Sequence, residues 1–402
     1  MFSIFRAAAT QSQSKRRVYL DYAAASPLSP RARAAMMDFF DTRYGNASAI
    51  HTECQAARHA IEDSRKEMAR MVEVQPNQVF FTSGGTESNN LAIRGLIEQY
   101  HRLSRAYEDM EVITTLIEHP ATKKTVEALS QLGVVVKYVG VDSNGMIKQI
   151  DLADALSDKT VLVCVSYVNS EIGTIEAIGA IGRLLQKVAP ETLLFVDAAQ
   201  APLWLPCVLP QLRADIIAFD AGKFGGPQGV GMLVLSKRVK LEAVTFGGGQ
   251  ERGLRPGTEP GALIVGAVVA FVDAQRNHQT RSEQIMKVRD YALTELPKAI
   301  PDLFINGAVG VRRVANNINI SIPGLDSEYA VITLDVHGVA ASTKSACSSV
   351  GGGISTVVME TTADINRAAS TLRFTLGPDT TTTDIDIMIK ILATHLSLIA
   401  TQ

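Results

Sequence analysis

Seven short apolar runs recur between Val79 and Leu235, most of them followed by a stretch with helical spacing, and this alternation constrains the chain more than any other feature. The runs are Val79–Thr82, Glu111–Thr115, Val134–Val139, Val161–Val165, Leu193–Val196, Ile216–Phe219 and Gly229–Leu235. Helical spacing follows at Glu87–Tyr100, Ala121–Leu132, Leu152–Leu156 and Ile178–Lys187. Strands that alternate with helices predict a largely parallel sheet, because a parallel neighbour can only be reached by a crossover. In open sheets of this kind ligands sit beyond the carboxyl ends of the strands. The candidates are therefore the polar side chains that follow strands: His119, Asn169, Ser170, Asp197, Gln200 and Lys223.

Around this block the chain has room for more. Its 402 residues, 46% hydrophobic and 20% charged, suffice for two domains with sizeable cores. Val18–Leu20 with Asp21 reads as an extended piece stopped by Pro27 and Pro30 before a helix at Arg31–Phe40, and a second helix spans Ser48–Val72. Past the sheet, the spacing predicts two separate helices, Ala262–Arg276 and Ser282–Leu296. Strands follow near Asn317–Ser321 and Val339–Ser342, then the extended STLRFTLG with Arg373, and a final helix at Thr383–Ile399. The expected architecture is α/β: a disordered leader (1–17), an N-terminal arm packing with the small domain (18–30), a large domain around a mostly parallel seven-stranded sheet (31–262) and a smaller α+β domain (263–402).

The formal net charge of −2, with no block of like charge, argues against a nucleic-acid or membrane-surface partner. The longest apolar run, Ala262–Val272, is well short of the roughly 18 to 20 residues a span needs. Cys54, Cys164, Cys207 and Cys347 show no C-x-x-C spacing, which points away from a disulfide framework or a metal site and toward a reducing compartment. The first 17 residues lack any acid and carry Arg6, Lys15, Arg16 and Arg17. Such a segment is either an organellar (mitochondrial) transit peptide or, the reading favoured here, the leader of a cytoplasmic protein.

Lys223 lies in IIAFDAGKFGGPQGVGMLVL, where Gly222, Gly225, Gly226 and Pro227 exclude a helix. It is either a surface lysine on a hairpin loop or an amine desolvated enough to attack a carbonyl. Val79–Thr82 runs through SGGTESNN into a helix, so the N–H groups at that helix start, with the Thr86 hydroxyl, can hold a phosphate; a plain helix cap stays open. Asp197 follows the apolar LLFV, and a buried carboxylate is costly unless a cation meets it, although it too could be a cap. A lysine, a carboxylate, a ring (His119) and a helix N-terminus (Gly84–Thr86) are what an imine-forming cofactor requires.

From Val18 to about Ile399 the chain resembles the cysteine desulfurases, members of the class V aminotransferase group of fold-type I enzymes that use pyridoxal 5′-phosphate. The motifs that carry the resemblance are YLDYAAASPL, FTSGGTESNNLAI, IEHPA, VNSEIG, FVDAAQ, FGGPQGVG, GGGQERGLRPGTE, KSACSS and TLRFTLG. It implies that Lys223 holds the cofactor as a Schiff base and that Asp197 pairs with the pyridine nitrogen. His119 would stack on the ring and act in catalysis, while Gln200 and Ser170 contact the cofactor. Gly85 and Thr86 would bind its phosphate, with Thr258 reaching the phosphate of the neighbouring subunit in a homodimer. Arg373 would clamp the substrate carboxylate, with Asn169 beside it. Cys347 would attack the sulfur of L-cysteine, leaving alanine and a persulfide whose sulfur passes to an acceptor protein for iron–sulfur cluster or other thio-cofactor biosynthesis. Selenocysteine lyase, another C–S lyase and a non-catalytic binding relative stay open. Two departures stand out. The family reads Ser-x-His-Lys where this chain has Asp220, Ala221, Gly222 and Lys223, and Asn-Asn where it has Asn169-Ser170. A carboxylate beside a phosphate is repulsive unless it turns away or pairs with a base.

Overall fold

All seven predicted runs enter one sheet. The computed structural model describes residues 17–343 and 353–400; Cys347 and the rest of KSACSS lie outside the described residues, as does the expected leader except for Arg17. The first half of the chain runs β1 (Val18–Tyr19), α1 (Pro30–Thr42), α2 (Thr52–Met71), β2 (Val79–Thr82), α3 (Gly85–Arg102), β3 (Glu111–Thr114), α4 (Pro120–Ser130), β4 (Val135–Tyr138) and α5 (Gln149–Ala155). It continues with β5 (Thr160–Ser166), α6 (Ile178–Val188), β6 (Leu193–Asp197), α7 (Leu209–Leu212), β7 (Ile216–Asp220), β8 (Gly231–Leu235) and α8 (Gly261–Ala299). The remainder is β9 (Phe304–Ile305), β10 (Asn317–Ser321), α9 (Ser327–Val336), β11 (Val339–Ala340), α10 (Thr356–Thr362), α11 (Ile365–Ala369), β12 (Thr371–Thr375) and α12 (Thr382–Ala400).

The main sheet has the order β2-β8-β7-β6-β5-β3-β4. Only β8 runs against its neighbours, so β2, β7, β6, β5, β3 and β4 all end on the same edge. The inner strands are apolar on both faces because helices cover both, and β6 (LLFVD) and β8 (GMLVL) are buried along their whole length. The edge strand β4 is half exposed, with Lys137 paired to Glu111 of β3 at 2.7 Å, a charge that blunts the free edge.

One helix pair expected from the sequence is corrected. Ala262–Arg276 and Ser282–Leu296 form a single 39-residue helix, α8. The intervening Asn277–Arg281 is polar but has neither glycine nor proline, so nothing in it stops a helix. At its start Gly261 and Gly266 lie against Phe39 and Met36 of α1; further on, Arg289 donates to the carbonyls of Arg313 and Val314, and Tyr291 to Asp386 of α12. The boundary expected at 262/263 falls inside the first turn of this one continuous helix, which contacts α1 at its start and the C-terminal part further on. In the C-terminal part, β12-β10-β9 form an antiparallel sheet that holds Arg373 opposite Asn319. The arm pairs with this part through β1 and β11 in parallel register. Among the described residues no helix is long and apolar enough to cross a membrane.

Candidate active site

Strand ends on the common edge deliver the expected side chains into one cleft. Gly85 and Thr86 come from the start of α3 behind β2, His119 from the turn after β3, and Asn169 and Ser170 from beyond β5. Asp197 and Gln200 follow β6, Lys223 follows β7, and Arg373 arrives from the C-terminal sheet; all of these line the cleft. Adjacent strands are in register there, with Ser166 opposite Asp197 and Asp197 opposite Ala218. Thr258 does not line this cleft and is exposed.

Lys223 closes a single 3-10 turn, Ala221–Lys223, rather than sitting on a plain hairpin loop. Its Nζ donates to the carbonyl of Ala24 at 2.5 Å. The N-terminal arm is zipped to this turn: Ser26 N and Oγ both donate to Gly222 O, and Gly225 N donates to Ser26 Oγ at 2.6 Å. Gln200 Nε2 reaches the same arm at Ala23 O. Polar backbone of a distant segment therefore positions the two residues, which no local pattern could announce.

Asp197 is buried, and its oxygens are divided. Oδ1 accepts from Ala199 N at 3.0 Å, as a turn cap would, and Oδ2 accepts from Asn89 Nδ2 at 2.8 Å. Asn89 also donates to Thr122, and its own Oδ1 is buried with no partner among the described residues. The sequence reading missed Asn89; the only signal was its place in SGGTESNN, on the α3 face turned inward.

His119 caps α4, its Nδ1 accepting from Ala121 N at 3.1 Å, which puts the proton of the neutral ring on Nε2. Burial holds this imidazole below the ordinary histidine range, with Asp197 pulling the other way. Asn169 is tied to its own loop: Oδ1 accepts from Glu171 N and Ile172 N, and Nδ2 donates to Ile117 O.

Arg373 is 1% exposed. It donates to the carbonyl of Ser170 and to Asp21 Oδ1, each at 3.0 Å, while its Nε is buried without a partner among the described residues. A carboxylate entering the cleft is the group such a half-used guanidinium fits. Asp21, from YLDYAAASPL, is a second residue the sequence reading passed over.

The three described cysteines are all buried. Burial pushes the thiols of Cys164 and Cys207 far up, so neither has the thiolate character a nucleophile needs. Among the described residues no group of His, Cys, Asp and Glu is placed to hold a metal ion.

Whether these groups suit pyridoxal 5′-phosphate can be judged from their donors and acceptors. An amine, an aligned buried carboxylate, a neutral ring and a free guanidinium N–H match its aldehyde, its pyridinium nitrogen, its ring face and an amino-acid substrate. The residues fit the ring end. At the phosphate end, the N–H of Gly85 donates to Asp220 Oδ2 at 3.3 Å.

Comparison with known proteins gives a consistent picture. The family model for class-V aminotransferases matches residues 18–388. The chain is 37% identical over 380 residues to the cysteine desulfurase IscS of Dictyoglomus turgidum, covering 94% of each. Among solved structures it is similar to a NifS-like protein, with a TM-score of 0.88, 31% identity and coverage of 95% of this chain and 100% of that one. It is also similar to SspA in complex with cysteine, with a TM-score of 0.76, 28% identity and coverage of 90% and 100%.

Proposed function

The chain belongs to the class-V aminotransferase family, and on that premise we propose that it is a cysteine desulfurase that uses pyridoxal 5′-phosphate to convert L-cysteine to L-alanine. The observation that carries this reading is the convergence of Lys223, Asp197, His119, Gln200 and Arg373 on one cleft at the carboxyl edge of the sheet. When bound, the cofactor supplies an electron sink for bond changes at the substrate Cα.

The chain's own residues do the rest. Asp197, oriented by Asn89 and Ala199, holds the pyridinium nitrogen. His119, neutral because it is buried, lies against the ring without adding charge. Arg373, on the wall of the cleft, receives the substrate carboxylate and so fixes which groups at Cα face Lys223. Lys223 Nζ takes the Cα proton once it leaves the Ala24 carbonyl. Cys347, as thiolate, bonds to the substrate Sγ; the Cβ–S electron pair passes to carbon, a proton completes the methyl group of alanine, and the sulfur stays on Cys347 as a persulfide. An acceptor protein then takes that sulfur. Thr258, exposed and outside its own cleft, completes the partner subunit's site in a homodimer.

Reduction with borohydride followed by peptide mapping tests the cofactor assignment. The pyridoxyl group is expected on the Lys223 peptide and absent from Lys223→Ala; a label on another lysine, or none in the unmodified protein, overturns it.

A further inference from the structure

The start of α3 is built to receive an anion. Gly84, at φ +154°, adopts a conformation that L side chains rarely take, and a Cβ on Gly231 of β8 would stand 2.5 Å from the Gly84 carbonyl carbon, so the turn packs directly onto the sheet. Gly85 and Thr86 of the first helical turn line the cleft, the Gly85 N–H faces Asp220 there, and the partial positive charge of an 18-residue helix lies behind them.

That place is already taken by a side chain of this chain. Asp220 Oδ2 accepts from Gly85 N at 3.3 Å, and Oδ1 accepts from Gly222 N at 2.9 Å. The arrangement depends on the neighbour. A Cβ at position 222 would stand 3.3 Å from Asp220 Oδ1 and 3.3 Å from Gln228 Cγ, tighter than ordinary contact, so a side chain there would press on the carboxylate. The acid at 220 and the glycine at 222 are thus a matched pair, the second making room for the turn of the first. Asp220 also lines the same cleft as Lys223 and Thr86.

We propose that Asp220 is a built-in occupant of the phosphate cradle, which makes this chain hold the phosphate of its cofactor weakly and discriminate little between pyridoxal 5′-phosphate and unphosphorylated pyridoxal. A dianionic phosphate brought to α3 meets a carboxylate that holds one of the donors it needs and repels it at close range. The ring-end contacts to Lys223, Asp197 and Gln200 are untouched by this, so they bind both forms alike. The inference rests on the reading of the cleft as a pyridoxal site and adds which form of the cofactor it retains.

Spectrophotometric titration of the cofactor-free full chain with each compound, in the unmodified protein, Asp220→Asn and Asp220→Ser, tests this. The asparagine keeps the size and the Gly222 contact but removes the charge. We expect both substitutions to tighten pyridoxal 5′-phosphate by at least about tenfold, the scale of one close unit-charge repulsion in a partly screened site, with pyridoxal changed less than about threefold. Unchanged affinity for the phosphorylated form in both variants, together with strong preference for it in the unmodified protein, overturns the role of Asp220 and leaves the cofactor reading standing. If neither compound forms a chromophore in any of the three proteins, both readings fall.

Discussion

At the scale of single residues, Glu118 is a carboxyl displaced well above its ordinary range. It lies beside His119 and is held between the hydroxyls of Thr115 and Ser166. Burial pushes its carboxyl up to about 7, opposed by those two hydroxyls and reinforced by Asp197 and Glu176. Because the folded pKa is the higher one, the folded chain keeps the proton while the unfolded chain loses it. Stability from this group is therefore present below about pH 4.5 and falls as pH rises to about 7, then levels off. Glu118→Gln should flatten that slope and leave the variant roughly 3 kcal/mol more stable relative to the unmodified protein at pH 8 than at pH 4. Denaturant melts across this range check it; parallel pH profiles for both proteins would refute it. The polar residues legible in the sequence were those standing alone after apolar runs, such as Asp197 and Lys223. Asn89, Asp21 and the carbonyl of Ala24 were not legible, because each acts through a partner far away in the chain.

At the scale of elements, the GGGQERG loop is held by a charge pair rather than by apolar packing. Arg65 of α2 meets both oxygens of Glu251 at 2.8 Å, and their side chains are 4% and 1% exposed. Glu251 Oε2 also accepts from Phe81 N of β2, and Arg65 donates to Val79 O, so loop, helix and strand share one network. Glu251→Ala removes the buried, two-oxygen partner of this guanidinium, leaving only the half-exposed Glu62 at 3.1 Å, and should cost about 3 kcal/mol in chemical denaturation. A loss below about 1 kcal/mol would mean the pair contributes no more than an exposed one. Short apolar runs announced the strands well, since inner strands of a parallel sheet are apolar on both faces. Helix continuity was harder. The polar Asn277–Arg281 reads as a break by composition, yet without a glycine or proline the backbone hydrogen bonds carry straight through it into α8.

At the scale of the whole molecule, the mostly parallel sheet and its ligand-bearing carboxyl edge followed from the alternation, whereas the strand order and the closing of the cleft by the arm and by Arg373 required contacts far apart in the chain, as between Asp21 and Arg373. The proposed shared site predicts a two-fold dimer, and sedimentation that shows an active monomer would contradict it. The division of labour is the central claim: the cleft described here binds the substrate and manipulates its Cα, while a separate thiol takes the sulfur. Alanine release from L-cysteine under a reductant, run beside mass spectrometry of the unreduced enzyme, tests this most directly. In the unmodified protein we expect alanine and one extra sulfur on the Cys347 peptide; in Cys347→Ser, the cofactor chromophore and its response to cysteine should persist while alanine release falls at least about a hundredfold, as for loss of a nucleophile. Undiminished alanine release from the serine variant, or no turnover in the unmodified protein, would contradict the account.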